Sequence, residues 1–440
     1  MRESDGRVHK VATAAGGRAA IGRAVAAFGG ALLLGASSFG VPALAAAPRL
    51  PCPSQWTQIP TEDPPNGNNP SASAVSFGSQ SDGWLVGGQT NGNNVILPFA
   101  EYWNADDQSW HFGNPLLPPG AHGDVRLGGV ISFAASEDQP AEAWGVGHQA
   151  GGLLLEHWLG PDPGSPWQVA TPASLPPGSA FLTAVAGASR NDLWAVGYSF
   201  VDSSKNGTST LSALIARYDG SSWNVVPAPA LGDDIVGSGL IDVSAASASD
   251  VWAVGYQTDG EGYRTLIEHY DGNAWSAVSD SPNPGSAYDV LLGVWAAAGD
   301  DVWAVGYRSS GTSYSPLVLH YDGSHWNVIA NTPGATLQSG FRSVAEVASS
   351  GQVAAAGFDF SADAGNYIPF SIAWPKSQPD DTTVLPPAAS AGRTIGSEFR
   401  DLTVVPGADR LWTVGEPAVV ETLCLGEAAP APKVAATSMQ

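Results

Sequence analysis

The sequence predicts an all-β chain built from seven repeats, and three observations predict it. Charged residues make up only 13% of the 440 residues, while Gly (53) and Pro (34) together supply 87, so turns must be frequent and long charged helices scarce. A tryptophan-centred motif recurs along the chain, each time followed by a second motif with a hairpin signature. A strand motif also stands alone ahead of the first repeat, and the last repeat lacks the matching strand.

The N-terminus precedes this pattern. Arg2, Arg7, Lys10, Arg18 and Arg23 are followed by an uncharged Ala/Gly/Leu-rich stretch that runs to Arg49 and contains Ala43-Leu44-Ala45-Ala46-Ala47. A basic segment, an apolar segment and an A-x-A site are the plan of a secretory signal peptide, expected over 1–45 and cleaved. A retained membrane anchor is the alternative, disfavoured by Gly29, Gly30, Gly35, Gly40 and Pro42 within the stretch. Taking the five basic and two acidic residues of 1–45 from the 18 and 41 of the chain leaves 13 against 39. So acidic a surface opposes phosphate backbones and anionic lipid. Nucleic acid is not expected as a partner, nor a membrane beyond the cleaved signal.

Three anchors are nearly identical: Asn191-Asp-Leu-Trp-Ala-Val-Gly-Tyr198, Ser249-Asp-Val-Trp-Ala-Val-Gly-Tyr256 and Asp300-Asp-Val-Trp-Ala-Val-Gly-Tyr307. Weaker copies surround Trp84, Trp144, Ala354 and Trp412, giving spacings of 60, 50, 58, 51, 51 and 58 residues. Upstream of each lies an apolar run such as Leu240-Ile-Asp-Val243, predicting an inner first strand; the W-x-V-G segment is the second. Downstream, Leu266-Ile-Glu-His-Tyr-Asp-Gly-Asn-Ala-Trp275 and its counterparts predict third and fourth strands around an Asp-Gly turn, since Gly accepts the positive φ of a tight hairpin. The repeated Asp before the second strand (Asp82, Asp192, Asp250, Asp301) reads as a turn residue. A tryptophan that recurs at one structural position in every repeat reads as packing between repeats.

Four strands per period of about 50 residues are the signature of a β-propeller. The expected fold is therefore a seven-bladed β-propeller of four-stranded antiparallel blades over 46–426, followed by a disordered Ala/Pro-rich tail at 427–440. Gln55-Trp-Thr-Gln-Ile-Pro60 has the fourth-strand pattern, so the N-terminal strand is expected to complete the last blade and close the ring. The only cysteines, Cys52 and Cys424, fall at these two strands, and a disulfide is expected between them.

On these residues, Trp84-Leu-Val-Gly-Gly88 and the Tyr-Asp hairpins followed by Trp and Pro, the chain resembles the kelch-like propellers, the fold also seen in the galactose-oxidase group. It is nearest in pattern to bacterial secreted proteins with W-A-V-G…Y-D-G-x-x-W repeats. The resemblance implies a binding scaffold. It departs from a copper oxidase, which needs a Tyr–Cys cross-link, because both cysteines lie at the closure. Sialidases are propellers too and need three arginines, a Tyr/Glu pair and an acid; Arg126, Arg342 and Arg400 are the arginines just inside first strands, but the hairpins read D-G-x-x-W rather than the Asp-box spacing.

His157, His269 and His320 recur at one third-strand position and read as structural. Candidates for ligand binding are His122, Asp124 and Arg126 in the loop entering the second repeat, Asp242, Asp289 and Asp401 on first strands, and Arg393, Glu398 and Arg400 leading into the last. They are expected on one face with the varied loops 61–74, 114–127, 227–239, 279–289, 386–398, 89–97, 199–213 and 357–368. The expected function is a secreted, monomeric, non-catalytic scaffold for an extracellular protein or glycan, without metal or cofactor. The rival is a carbohydrate-active enzyme, a hydrolase or lyase, using paired carboxylates at the channel mouth.

Overall fold

The computed structural model describes residues 53–425 apart from 63–67, 119–122, 151, 161, 175, 177–178, 203–208, 286, 312, 330–337, 363–364, 386–396 and 417–418. The expected signal segment 1–45, Cys52, His122, Arg393 and the tail 427–440 lie outside the described residues.

The described residues form an all-β structure of four-stranded antiparallel sheets, an arrangement compatible with a propeller. The first repeat shows the pattern: Asn68–Phe77, Gly83–Thr90, Ile96–Asn104 and Ser109–Phe112 pair in chain order. Five sheets are separate, and the fourth and fifth repeats are joined into an eight-stranded sheet by a single parallel pair, Tyr263 with Tyr288. The last repeat supplies Glu398–Val404, Arg410–Glu416 and Val419–Cys424, and Thr57–Gln58 pairs with the last of these as the fourth strand. The hairpin glycines Gly220, Gly272 and Gly323 have φ of +87°, +91° and +90°, the conformation that selects Gly there. The preceding Asp219, Asp271 and Asp322 cap their turns by accepting backbone N–H groups two and three residues on.

One device sets the inner face. In every pairing of first with second strand the register slips by one residue at the same place: Ala72/Ala74, Leu127/Gly129, Leu182/Ala184, Leu240/Asp242, Leu291/Gly293, Phe341/Ser343 and Phe399/Asp401. The residue before each bulge is buried in the sheet interface, while the bulged residue is re-aimed. Opposite stands the glycine of W-x-V-G. A Cβ on Gly255 would lie 2.0 Å from the Gly239 carbonyl oxygen, and one on Gly306 1.9 Å from that of Val290. The signature glycine thus exists because the bulged strand crosses its Cα directly.

Packing between repeats is aromatic. Trp84 meets Trp158 and Trp167 of the second repeat at 5.1 and 4.8 Å, Trp194 meets Tyr270 and Trp275 of the fourth at 4.7 and 5.2 Å, and Trp303 meets Trp374 of the sixth at 5.4 Å. Trp412 of the last repeat packs on Trp103 and Trp110 of the first at 4.9 and 5.5 Å. Such offset and edge-on pairs add to the burial of large rings. Trp56 is buried against Phe399, and its indole N–H donates to Ser371 Oγ at 2.9 Å.

Several elements differ from expectation. The first strand of the first repeat begins at Asn68, within the supposed loop 61–74, and the strands Asp192–Asp202 and Gln352–Ser361 reach into the supposed loops 199–213 and 357–368. Asp192, Asp250 and Asp301 are the first residues of second strands rather than turn residues. They hold cross-strand partners instead: Arg217 Nε at 2.9 Å, His269 Nε2 at 2.9 Å and His320 Nε2 at 2.8 Å. Each partner lies over the tryptophan it faces in the ladder, the His269 and His320 rings stacking at 4.0 Å and the Arg217 guanidinium sitting 4.8 Å above Trp194.

Candidate functional site

The bulged residues Ser73, Gly128, Thr183, Ile241, Leu292, Arg342 and Arg400 all line one cavity of about 720 Å³. Its walls are first-strand segments from all seven repeats, mostly small residues such as Ala74, Gly129, Ala184 and Ala297. Antiparallel order puts the start of each first strand, the end of the second and the start of the third at one end of the sheets. The polar groups gather at that end.

There Glu398 bridges two arginines, accepting from Arg342 Nη2 at 2.9 Å and Arg400 Nη2 at 3.2 Å, while Arg400 also pairs closely with Glu416. Arg126 differs. Its Nε and Nη2 donate to Ser73 Oγ at 3.2 Å and Ser71 Oγ at 2.8 Å, and no carboxylate among the described residues pairs with it. Its stem runs over Gly88, where a Cβ would stand 3.2 Å from Arg126 Cγ. Burial and the neighbouring Arg400 pull the Arg126 guanidinium below its usual pKa, with Glu416 opposing. Burial, then Arg126, lowers His148 as well, with Asp124 opposing.

The position just after the signature glycine lies at this same end of the sheets, and His148 and Tyr198 from it line the cavity. It reads Gly88, His148, Tyr198, Tyr256, Tyr307, Phe358 and Glu416 through the seven repeats. Aromatics continue outward from it: His148–Phe181–Tyr198–Phe200 at successive centroid distances of 4.7, 5.2 and 5.8 Å, Tyr256–Tyr263–Tyr288 at 5.1 and 5.5 Å, and Tyr307–Tyr314 at 5.3 Å. Phe200, Tyr263 and Tyr314 are about 40% exposed, which is unusual for rings this size and makes a platform of this end. Arg342 lies 5.3 Å over Phe358, joining the charged and aromatic parts.

Of the residues expected here, Arg126, Glu398 and Arg400 are brought together. Glu398 is the first residue of its strand rather than part of the loop. Asp124 stands at the exposed rim and its Oδ1 accepts the Ile96 amide at 2.9 Å. Asp289 does not line the cavity: it is 3% exposed, and both its oxygens accept the Gly285 amide at 3.0 Å, tying down the preceding loop. Asp242 and Asp401 do line the cavity, but their oxygens are occupied. Asp242 accepts the Val243 and Val294 amides at 2.9 and 2.8 Å; Asp401 accepts the Val75 and Leu402 amides and Ser343 Oγ at 2.9, 2.8 and 2.9 Å. Each fastens its first strand to that of the next repeat. Burial raises both, Asp242 to about 7.

Arg342, which the sequence sets beside Arg126 and Arg400 as an arginine just inside a first strand, joins this group, whereas Glu416, His148 and the aromatic platform were not foreseen. The available signal was the variable residue after W-x-V-G. The sequence reading also missed buried third-strand glutamates, Glu156 and Glu268, both fully buried and raised by burial to about 8. Among the described residues, no cluster of His, Cys, Asp and Glu is placed to hold a metal.

No protein-family model matches this chain, and no curated protein sequence matches it.

Proposed function

We propose that this chain is a secreted, monomeric seven-bladed β-propeller of kelch-like type that binds an extracellular protein or glycan through the face carrying Arg126, Tyr256 and Tyr307. The observation that carries the reading is one structural position, uniform in backbone, that holds aromatics over four consecutive repeats and Gly88, His148 and Glu416 in the other three, with His148 and Tyr198 reaching the cavity. A scaffold that keeps its strands and varies one ring of side chains is built for recognition. A closed ring of seven blades is supported by the seven repeats, by Asp401 fastening the last first strand to the first, and by Trp412 packing on Trp110. A Cys52–Cys424 disulfide would lock the closure; the Cys424 amide donates to the Pro53 carbonyl at 2.8 Å, which brings the residue after Cys52 against Cys424. Export is supported by the N-terminal plan and by the strongly acidic remainder.

The rival reading, a glycoside hydrolase or lyase, needs two carboxylates facing one bond. Asp242 and Asp401 are spent on backbone amides, and Glu398 is held by two guanidiniums, so binding is favoured. The test is a glycan array combined with chemical cross-linking in culture supernatant, using the full secreted chain beside a Tyr256→Ala/Tyr307→Ala variant. Loss of signal in the variant supports this face; equal signal contradicts it.

A further inference from the structure

Arg126 is the cation at the mouth that no carboxylate among the described residues pairs with, Glu416 acting on it only at longer range. Its neighbours Arg342 and Arg400 are compensated by Glu398 and Glu416, so the mouth holds three guanidiniums against two bridging acids. Guanidiniums gathered at one place repel one another, and a guanidinium half-buried beside another is a ready partner for an oxyanion, which its planar fork can grip with two hydrogen bonds. Ser71 and Ser73 hold the head group in place rather than neutralising it. Beside it begins the rail of His148, Phe181, Tyr198 and Phe200, rising from the cavity wall to a ring 39% exposed. A cation at the foot of an aromatic rail matches a ring with an apolar face and an anionic substituent.

We infer that Arg126 and the His148–Phe181–Tyr198–Phe200 rail form a subsite for an acidic sugar, Arg126 taking the oxyanion and the rail stacking against the sugar ring. The inference rests on the glycan branch of the proposed function and narrows it. The oxyanion could be a carboxylate or a sulfate, and the site chemistry is shared by both. Asp124 at the rim carries the same sign as the ligand, but its carboxylate is already engaged by the Ile96 amide.

The test is calorimetric titration of the full secreted protein with digalacturonate, with its uncharged methyl ester, and with a sulfated, uronate-free galactose disaccharide. The acid or the sulfate is expected to bind at least tenfold tighter than the ester, and which of them does so identifies the source of the oxyanion. Arg126→Gln should lose at least tenfold toward the charged sugar and change little toward the ester. Affinity should fall with added salt in the natural chain and stay flat in that variant. Phe200→Ala, at an exposed ring that folding does not need, should weaken the charged sugar severalfold, and Glu416→Gln, which removes one competing carboxylate, should tighten it. The inference is overturned if the ester binds as well as both the acid and the sulfated sugar, or if Arg126→Gln and Phe200→Ala both bind normally. Binding of neutral sugars or of a protein alone, abolished by Tyr256→Ala/Tyr307→Ala, would overturn this subsite while leaving the proposed function standing.

Discussion

The Asp401 carboxylate accepts the Val75 amide at 2.9 Å across 326 residues of sequence. It joins the first strand of the last repeat to that of the first. Asp242 does the same between the fourth and fifth repeats, through the Val294 amide. A carboxylate that read as a ligand-binding candidate is thus a clamp between inner strands, and its removal would leave buried donors unmatched.

Asp401→Ala is therefore expected to destabilise by on the order of 2–4 kcal/mol, since a buried acceptor of three donors is lost. Asp242→Ala, with two amides rather than three donors to orphan, should cost less. Thermal or urea unfolding of the two variants checks the order; equal, negligible effects would show that the inner strands hold together without them.

Stability should fall as pH rises from about 5 to 8. Glu156 and Glu268 titrate near 8 in the fold, and Asp242 near 7, all above their values in an unfolded chain. In that window the folded state holds more protons than the unfolded one, so deprotonation favours unfolding. Glu268→Gln should flatten the slope and stabilise at pH 8 by on the order of 1–3 kcal/mol, because neither Glu268 oxygen has a hydrogen-bond partner among the described residues. A melting temperature that rises between pH 5 and pH 8 would contradict this.

Gly306→Ala should be strongly destabilising, by roughly 3 kcal/mol or more, because the added carbon meets the Val290 carbonyl at 1.9 Å. Gly92→Ala, with nothing within 4 Å, should be close to neutral. The contrast tests the bulge as the reason for the W-x-V-G signature.

Replacing both cysteines by Ser should lower the melting temperature while preserving the β-rich circular dichroism spectrum, with about 5 kcal/mol as the upper estimate for so long a loop. Non-reducing peptide mapping that recovers both thiols free would remove the covalent part of the closure. In secreted protein, intact mass should correspond to a chain beginning at Ala46 or Pro48.

The strand pattern was legible because it repeats: Trp194, Trp252 and Trp303 announce one backbone position, and Gly220, Gly272 and Gly323 one turn. Half of the mouth was legible too, since Arg126, Glu398 and Arg400 stand where first strands begin. Glu416 and His148 were not, because which residue faces the cavity depends on a bulge set between two strands. Nor did spacing show that Asp242 and Asp401 would meet amides of the next repeat, a contact between residues 52 and 326 positions apart.

The proposed recognition face is that of Arg126, Tyr256 and Tyr307. The most direct measurement compares two variants of the full secreted chain on the glycan array and in cross-linking: Arg126→Gln/Tyr256→Ala/Tyr307→Ala at that face, and Asp271→Ala/Asp322→Ala in the hairpins at the other end of the sheets. The first should lose binding while keeping its melting temperature within a few degrees, and the second should bind normally but melt earlier. Normal binding by the first and lost binding by the second would place recognition at the opposite end.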